Sequence, residues 1–373
     1  MSNSAVHDHI IIGAGIAGLS AAYHFAKDGH SVVVLEATDG KSGASFASTA
    51  EMNHDPDAKW EKVVERFGIE GAREVWELSD FAMEKLADFA HRPGEEHFGT
   101  ERLPAHLFSY KDGDAGMLRG KYEFYKSIGA NAEFTENGSA LHESFKAVLT
   151  IRDEGATNNQ MILKELAHGM RELGGEIHHH RRAVRIEESA DAVRVETESG
   201  ELVSGRSVLI ATGDGRGLVP KDLLIGRIRT FVIAYEKHGM RDIFRDSLMW
   251  DTDEPFHYVR PFDHTRLWVG GEDADESAYD PKDEKEKYAA LEDYSKNVLH
   301  VDDAYKRDGQ WSGVFFPSDR GLPYIGEVPG SRIRLSLGFG GSGILTSFIS
   351  GYLHAAWLRG ELPEYRRLFA VGW

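Results

Sequence analysis

The sequence predicts an α/β fold in which a parallel sheet flanked by helices is joined to a second, antiparallel sheet. Three stretches carry that prediction. The first is HIIIGAGIAGLSAAYHFAKDGHSVVVLE, residues 9–36, where an apolar run meets a glycine-rich turn, a helical pattern and a second apolar run. The second is a strand-rich block over residues 228–270, whose alternation suggests antiparallel pairing with one covered face. The third is the apolar run Ile333 to Leu337, which enters GFGGSGI at residues 338–344 and then another helical pattern.

The first stretch reads as strand, tight turn, helix and strand. Gly13 makes the turn, Gly15 lets the backbone approach a pyrophosphate lying on the helix N-terminus at Ile16 and Ala17, and Gly18 lets helix and strand pack closely. Glu36 ends the second strand, where an acid accepts hydrogen bonds from a ribose diol, and Ala37 follows it. The next segment, GKSGASFASTA at residues 40–50, is rich in small residues. Its backbone at Gly43, Ala44, Ser45, Ser48 and Thr49 is suited to touch a second phosphate or a ring edge.

Composition excludes several classes. At 373 residues the chain exceeds what one core usually organises, so two domains are expected. Lys and Arg number 43 against 61 Asp and Glu, a net charge of −18 that disfavours nucleic acid and anionic membranes. No cysteine is present, which excludes disulfides, thiolate metal sites and a flavin tethered through cysteine. The N-terminus, MSNSAVHDH, lacks a basic region, so no signal peptide is read and a cytoplasmic location is the expectation. The apolar stretch Ile344 to Leu358 is interrupted by His354 and is too short to span a bilayer.

Along the rest of the chain, Val75, Leu78, Ala82, Leu86 and Phe89 predict a long helix stopped at Pro93-Gly94. Leu118, Tyr122, Tyr125 and Ile128 predict a second, ending at Gly129. A third runs from Asn159 to Gly174-Gly175. Strands follow at Ala183 to Ile186, Ala192 to Glu196 and Ser207 to Ile210, the last ending in Ala211-Thr212-Gly213, where a second close backbone approach is tolerated. The triplet His178-His179-His180 is read as no metal site, because adjacent strand residues face opposite ways and no third ligand has recognisable spacing. Within the strand-rich block, Ile228 to Glu236, Leu248 to Trp250, Phe256 to Pro261 and Arg266 to Gly270 are the expected strands. Tyr258 and Arg260 lie two apart and so share a face, where a phenol and a guanidinium suit a substrate carboxylate, against the alternative of a rim ion pair. A charged helix is expected from Asp283 to Leu299.

In the third stretch, Gly338, Gly340, Gly341, Ser342, Gly343 and Ile344 expose a helix N-terminus that stabilises an anion. A reduced flavin is such an anion and a nicotinamide is not, which favours FAD over NAD. Ser347, Gly351 and Ala355 form a small-residue stripe that lets another element pack very close.

Taken together, GAGIAG with Glu36, the Ala211-Thr212-Gly213 strand end, and GLPYIG followed by GFGGSGI resemble the D-amino-acid, glycine and sarcosine oxidase superfamily of FAD proteins. The phrases YVRPFDHTRLWVGGE and WSGVFFPSDRGLPYIG resemble a branch of generic FAD-dependent oxidoreductases. The resemblance implies a Rossmann-like FAD-binding domain, a parallel sheet with helices and a crossover antiparallel sheet, built from residues 1–55, 150–225 and 312–373. Residues 56–149 and 226–311 would form an antiparallel-sheet substrate domain. It assigns Gly13, Gly15 and Gly18 to the pyrophosphate, Glu36 to the ribose, Ala44, Ser45 and Ser48 to phosphate and flavin edge, and the Val184 backbone to the adenine. Ala211 to Gly213 would line the pyrophosphate and Gly340 to Ile344 the flavin. Tyr258 falls where relatives place a substrate-binding tyrosine.

The chain departs from its relatives at three places. Ser48 stands where some relatives tether the flavin through histidine, so FAD is expected to be non-covalent. Gly313 to Phe316 stand where relatives acting on amino acids carry an arginine, leaving Arg260 as the candidate carboxylate partner. Trp268 and Leu345 stand where sarcosine-type relatives place lysines.

The function this implies is FAD-dependent oxidation of a carbon–nitrogen bond in an amino acid or secondary amine. Hydride passes to the flavin and water hydrolyses the imine, with Tyr258 and Arg260, and Asn53 or His54, positioning the substrate. The electron acceptor is oxygen or another oxidant. An NAD(P)H-reduced flavin monooxygenase is the second reading, although its GD-containing strand end is replaced here by GLPYIG and GFGGSGI. A flavoprotein electron-transfer subunit is the third.

Overall fold

The computed structural model describes residues 6–55, 60–90, 100–215, 217–219, 223–263 and 265–371, and among them the chain forms two large sheets. The first sheet has the strand order Tyr324–Glu327, Ile333–Leu337, Leu202–Gly213, Val6–Ile12, Val32–Leu35, Glu176–His178. All its neighbours along that path are parallel except the Tyr324–Glu327 edge. A ribbon of Ala183–Glu188 and Val193–Thr197 pairs antiparallel onto Leu202–Gly213. Its central strands are continuous apolar runs because both faces are covered: Ile11, Val34 and Leu209 face the helices, while Ile10, Val33 and Ile210 join a separate core beneath.

Helices Ile16–Lys27, Asn159–Glu172 and Gly343–Leu358 lie together over that sheet. The small-residue stripe does what its spacing predicts. A Cβ on Gly351 would sit 2.2 Å from the Ala21 backbone nitrogen, and Ser20 Oγ donates to the Phe348 carbonyl at 2.5 Å. The two glycine turns therefore start helices that touch backbone to backbone.

The second sheet has the order Lys306–Phe315, Ile228–Glu236, Arg266–Asp275, Tyr258–Pro261, Leu248–Asp251, Glu101–Ser109, Ala147–Ala156, Glu51–Met52, with Ala132–Thr135 also on Ala147–Ala156. It is antiparallel throughout, except that Leu248–Asp251 and Glu101–Ser109 run parallel. Period-two alternation divides its faces. Phe231, Ile233, Val259, Leu267 and Val269 pack with Tyr288 and Leu291 of helix Glu284–Asn297, so the intervening residues, Thr230 and Tyr258 among them, face the other way.

Strand pairing cuts across the domain limits anticipated from sequence. Positions 150 and 312 fall inside strands Ala147–Ala156 and Lys306–Phe315, and Glu51–Met52 pairs with Ala147–Ala156 although it precedes position 55. The long helix spans Trp60–Ala90 with a break at Gly68 (φ 71°), and its expected stop at Pro93-Gly94 lies outside the described residues. Of the histidine triplet only His178 is in a strand, where its Nε2 lies 2.8 Å from Glu176, and His180 takes a positive φ of 56°. No helix among the described residues is long and apolar enough to cross a membrane.

Candidate active site

One cavity of about 560 Å³ runs from the two glycine turns of the first sheet to the inner face of the second. At the first turn, Gly13 takes φ +106° and any Cβ there would stand 2.5 Å from the Ala211 carbonyl oxygen. A Cβ on Gly18 would stand 2.0 Å from the Gly13 carbonyl oxygen. Both glycines therefore set strand–helix contact, and neither lines the cavity. Gly15, Ile16 and Ala17 do line it. Gly15 holds the N-cap position with no side-chain cap, so the helix start faces the cavity as backbone.

Glu36 braces this turn from the side. Its carboxylate accepts from Ala14 N at 2.9 Å and from Thr38 N and Oγ1 at 2.8 Å each. Ala37 lies between these partners, off the cavity. Val184, expected against an adenine, is 45% exposed on its ribbon and does not line the cavity. That ribbon is tied to Glu36 all the same, through Arg181 N donating to the Glu36 carbonyl at 2.7 Å.

The small-residue segment forms one short helix, Ala44–Ala47, entered through Gly43 at φ +82°. Ala44, Ser45, Ser48 and Thr49 line the cavity, and Ser45 Oγ accepts from Ile16 N at 3.1 Å. Two residues that sequence reasoning passed over hold this segment. Asn159 Nδ2 donates to the Ser45 and Phe46 carbonyls at 2.7 and 2.9 Å, and Trp311 Nε1 donates to the Ala47 carbonyl at 2.8 Å.

The second turn closes the cavity from the opposite side. Ala211 and Gly213 line it, and Gly213 has no room for a side chain because Phe316 would lie 2.6 Å away; Thr212 is not on the wall. Gly338 N donates to the Gly213 carbonyl at 3.1 Å, which ties the two strand ends, and Gly340, Gly341, Ser342, Gly343 and Ile344 line the wall. Helix Gly343–Leu358 also begins without a side-chain cap. Two helix N-termini whose N-cap residues make no side-chain cap bond thus border one cavity, the first with Ile16 N already held by Ser45 Oγ, an arrangement that stabilises negative charge at both places.

At the second sheet, Tyr258 lines the cavity with its hydroxyl 3.3 Å from Thr230 Oγ1. Its ring occupies the space left by the cross-strand residue Gly270, whose Cβ would fall 2.2 Å from that ring. Burial pushes the phenol far above its ordinary range despite Thr230, so it remains a neutral O–H.

Arg260 is not the expected carboxylate partner on the cavity wall. It is buried at 2% exposure, donates to the Thr157 carbonyl at 2.7 Å and the Pro261 carbonyl at 3.1 Å, and lies over the ring of Trp268. Sharing a face with Tyr258 was correctly inferred. The long side chain reaches past the cavity toward strand Ala147–Ala156, which the sequence does not disclose. His54 is likewise buried and structural, its Nε2 2.7 Å from Asp80 and its Nδ1 3.2 Å from Glu154.

The remaining wall is acidic. Asp251 is held by His257 (Nδ1 to Oδ2, 2.8 Å) and Asp253 by Lys111 (2.6 Å), so both are compensated. Glu51 and Asn53 line the cavity between the second sheet and the second glycine turn, Asn53 Nδ2 donating to Ser342 Oγ at 3.4 Å. Burial raises the Glu51 carboxyl to about 7, with Arg260 pulling it back and Glu154 adding to the rise.

The family described as FAD dependent oxidoreductase matches residues 8–357. Glycine oxidase of Bacillus licheniformis is 27% identical over 95% of this chain and 94% of its own. Gamma-glutamylputrescine oxidoreductase of Escherichia coli (strain K12) is 24% identical over 98% of this chain and 86% of its own. Among solved structures, glycine oxidase from Geobacillus kaustophilus superposes with a TM-score of 0.81 at 19% identity, covering 95% of each chain. L-proline dehydrogenase from P.horikoshii superposes with a TM-score of 0.80 at 16% identity, covering 97% of this chain and 96% of its own.

Proposed function

The chain belongs to the FAD dependent oxidoreductase family, and from that premise we propose that it oxidises a carbon–nitrogen bond of an amine or amino acid to an imine that water hydrolyses. One observation carries the reading: a single cavity joins both glycine turns to a polar pocket on the second sheet. The residues present fit FAD. Gly15 is the N-cap of one helix and has no side chain to cap it, Gly343 opens another whose N-cap Ser342 makes no side-chain cap bond, and Glu36 directly follows the strand Val32–Leu35 beside the first. When bound, FAD supplies the two-electron acceptor that the side chains lack.

The chain's own residues bind and orient. Ser45, held from behind by Asn159, fixes the small-residue segment against the first turn. Tyr258 offers a protonated hydroxyl to a substrate acceptor, kept in place by Thr230 and by the absence of a side chain at Gly270. Glycine, L-proline and gamma-glutamylputrescine, named in the relatives, each carry an amine nitrogen next to a carbon bearing hydrogen, which supports this substrate class.

The test is an anaerobic screen of amino acids and amines for bleaching of the flavin absorbance, which needs no knowledge of the acceptor. Bleaching by a nitrogen compound and not by its hydroxy analogue is the expected result. Bleaching by hydroxy acids alone overturns the reading.

A further inference from the structure

The mechanism above leaves two buried oxygens unused. Glu51 Oε1 and Asn53 Oδ1 are both sealed from solvent and both lack a hydrogen-bond partner, and both residues line the cavity. Native proteins rarely leave buried acceptors unmade, and such atoms call for a ligand that brings donors. The backbone beneath them is fixed. Glu51 and Met52 pair with Ala156 and Gly155, and Thr157 N donates to the Ala50 carbonyl at 3.0 Å.

The surroundings define what the ligand must be. The cavity wall includes Glu51, Asp55, Glu61, Asp251, Asp253 and Asp273, while Lys121 is its one Lys or Arg among the described residues. Arg260 is turned to the Thr157 carbonyl. Two orphan acceptors, one of them a carboxylate, in an acidic wall match an ammonium group, which brings up to three donors and a positive charge.

We propose that Glu51 Oε1 and Asn53 Oδ1 seat the ammonium of the substrate, and that Glu51 takes one of its protons so that the neutral amine is the species oxidised. This rests on the amine reading above. The step is a proton transfer: an N–H bond of the ammonium breaks, its electron pair stays on nitrogen, and an O–H bond forms on Glu51. A bound FAD would supply the two-electron acceptor for the neutral amine. The groups facing Glu51 are Arg260 from its own sheet, the hydrogen-bonding Asn53 side chain, Glu154 from the neighbouring strand, and the neutral Tyr258 hydroxyl; burial outweighs Arg260 and Asn53 and leaves the carboxyl near 7, suited to accept a proton at neutral pH.

The experiment measures anaerobic flavin bleaching by glycine, N-methylglycine, L-proline and 1,4-diaminobutane from pH 5.5 to 10, in the parent holoenzyme and in Glu51→Gln and Glu51→Asp. In the parent, the rate constant divided by the substrate dissociation constant should rise with pH through about 7 as Glu51 ionises. Glu51→Gln should lose that limb and fall by roughly 10²- to 10⁴-fold at pH 8, the usual contribution of a positioned base. It should recover toward the pH at which the free ammonium deprotonates by itself. Glu51→Asp should keep a limb at reduced rate. A Glu51→Gln profile superimposable on the parent's overturns the proposal while leaving the amine reading intact. Loss of bound FAD from both variants also overturns it, by placing Glu51 in the cofactor's hold. Failure of every amine to bleach the parent overturns the amine reading and this inference with it.

Discussion

At the scale of single residues, space and hydrogen bonds decide what each position does. Gly15 is the clearest case: a side chain there would enter the cavity with its first carbon 3.0 Å from Ser45 Oγ, the atom that accepts from Ile16 N. Gly15→Val should therefore yield folded protein without flavin, read directly from the absorbance of the purified chain. A yellow Gly15→Val preparation with parental FAD content would remove the first turn from the cofactor's site. Arg260 leads to a different expectation from the one its sequence neighbourhood suggests. Its donors hold the buried Thr157 and Pro261 carbonyls, so Arg260→Met strands two acceptors at about 1 to 3 kcal/mol each. The variant should lose stability in urea and lose kcat/KM equally on substrates with and without a carboxylate. A loss confined to carboxylate substrates would put the guanidinium back on the cavity wall. The sequence makes Gly13, Gly15, Gly18 and Tyr258 legible because turn geometry and strand alternation are local. It brings Asn53 forward only as an alternative to His54, of which Asn53 lines the cavity and His54 does not, and it hides Glu51, because nothing local says that an acid after a small-residue loop faces a cavity rather than solvent.

At the scale of elements, the two glycine-turn helices act as one unit because Gly351 lets them touch. A Cβ at that position meets backbone at 2.2 Å, so Gly351→Ala must push the helices apart. Overpacking of this kind costs about 1 to 3 kcal/mol. Because both helix starts border the cavity, Gly351→Ala should also weaken FAD binding, measured as a smaller gap between the Tm values of holo and apo protein. An unchanged gap would mean that the two turns are positioned independently. Another link joins the loop after strand Glu51–Met52 to helix Trp60–Ala90 and strand Ala147–Ala156 through His54. Burial disfavours its charge, but Asp80 and Glu154 overcome that and hold it protonated to about 9, above its ordinary 6.5. A raised histidine contributes stability in full below 6.5 and loses it as pH rises through 9. Unfolding free energy should thus fall between pH 7 and pH 9.5 in the parent, and fall less in His54→Gln. Strands were less legible than helices at this scale. Glu101–Ser109 contains Pro104, which argues against a strand, and in the fold Pro104 sits where its pairing with Ala147–Ala156 shifts register. Lys306–Phe315 is polar and glycine-containing, with little alternation to read. Positions 150 and 312, expected from sequence as domain limits, lie inside strands of the second sheet.

At the scale of the whole molecule, the paired sheets, the order of the strands around the first turn and the covered face of the second sheet all follow from patterns that span ten to thirty residues. The electrostatic character of the cavity does not, because it depends on which long side chains reach inward. Net charge is −18, and among the described residues the wall carries several carboxylates against one Lys or Arg, Lys121, itself exposed on helix Ala115–Ser127. Leu345 is buried in the helix core, and Trp268 stacks on Phe262 beneath Arg260. Neither position where sarcosine-type relatives place lysine thus supplies charge to the cavity. This bears on the electron acceptor. The first electron given to dioxygen makes superoxide, and a fixed positive charge nearby lowers the barrier by stabilising the charge that develops. An acidic wall does the reverse. Reduced enzyme should therefore react slowly with air and turn over faster with an artificial dye or quinone. Stopped-flow mixing of the photoreduced protein with oxygenated buffer measures this directly, with free reduced flavin as the reference. A rate well above that of free flavin would mean that a cation does reach the reaction, and Lys121→Met would then identify it: loss of the excess rate in that variant assigns it to Lys121, and an unchanged rate leaves Arg260, acting from behind Glu51, as the remaining source.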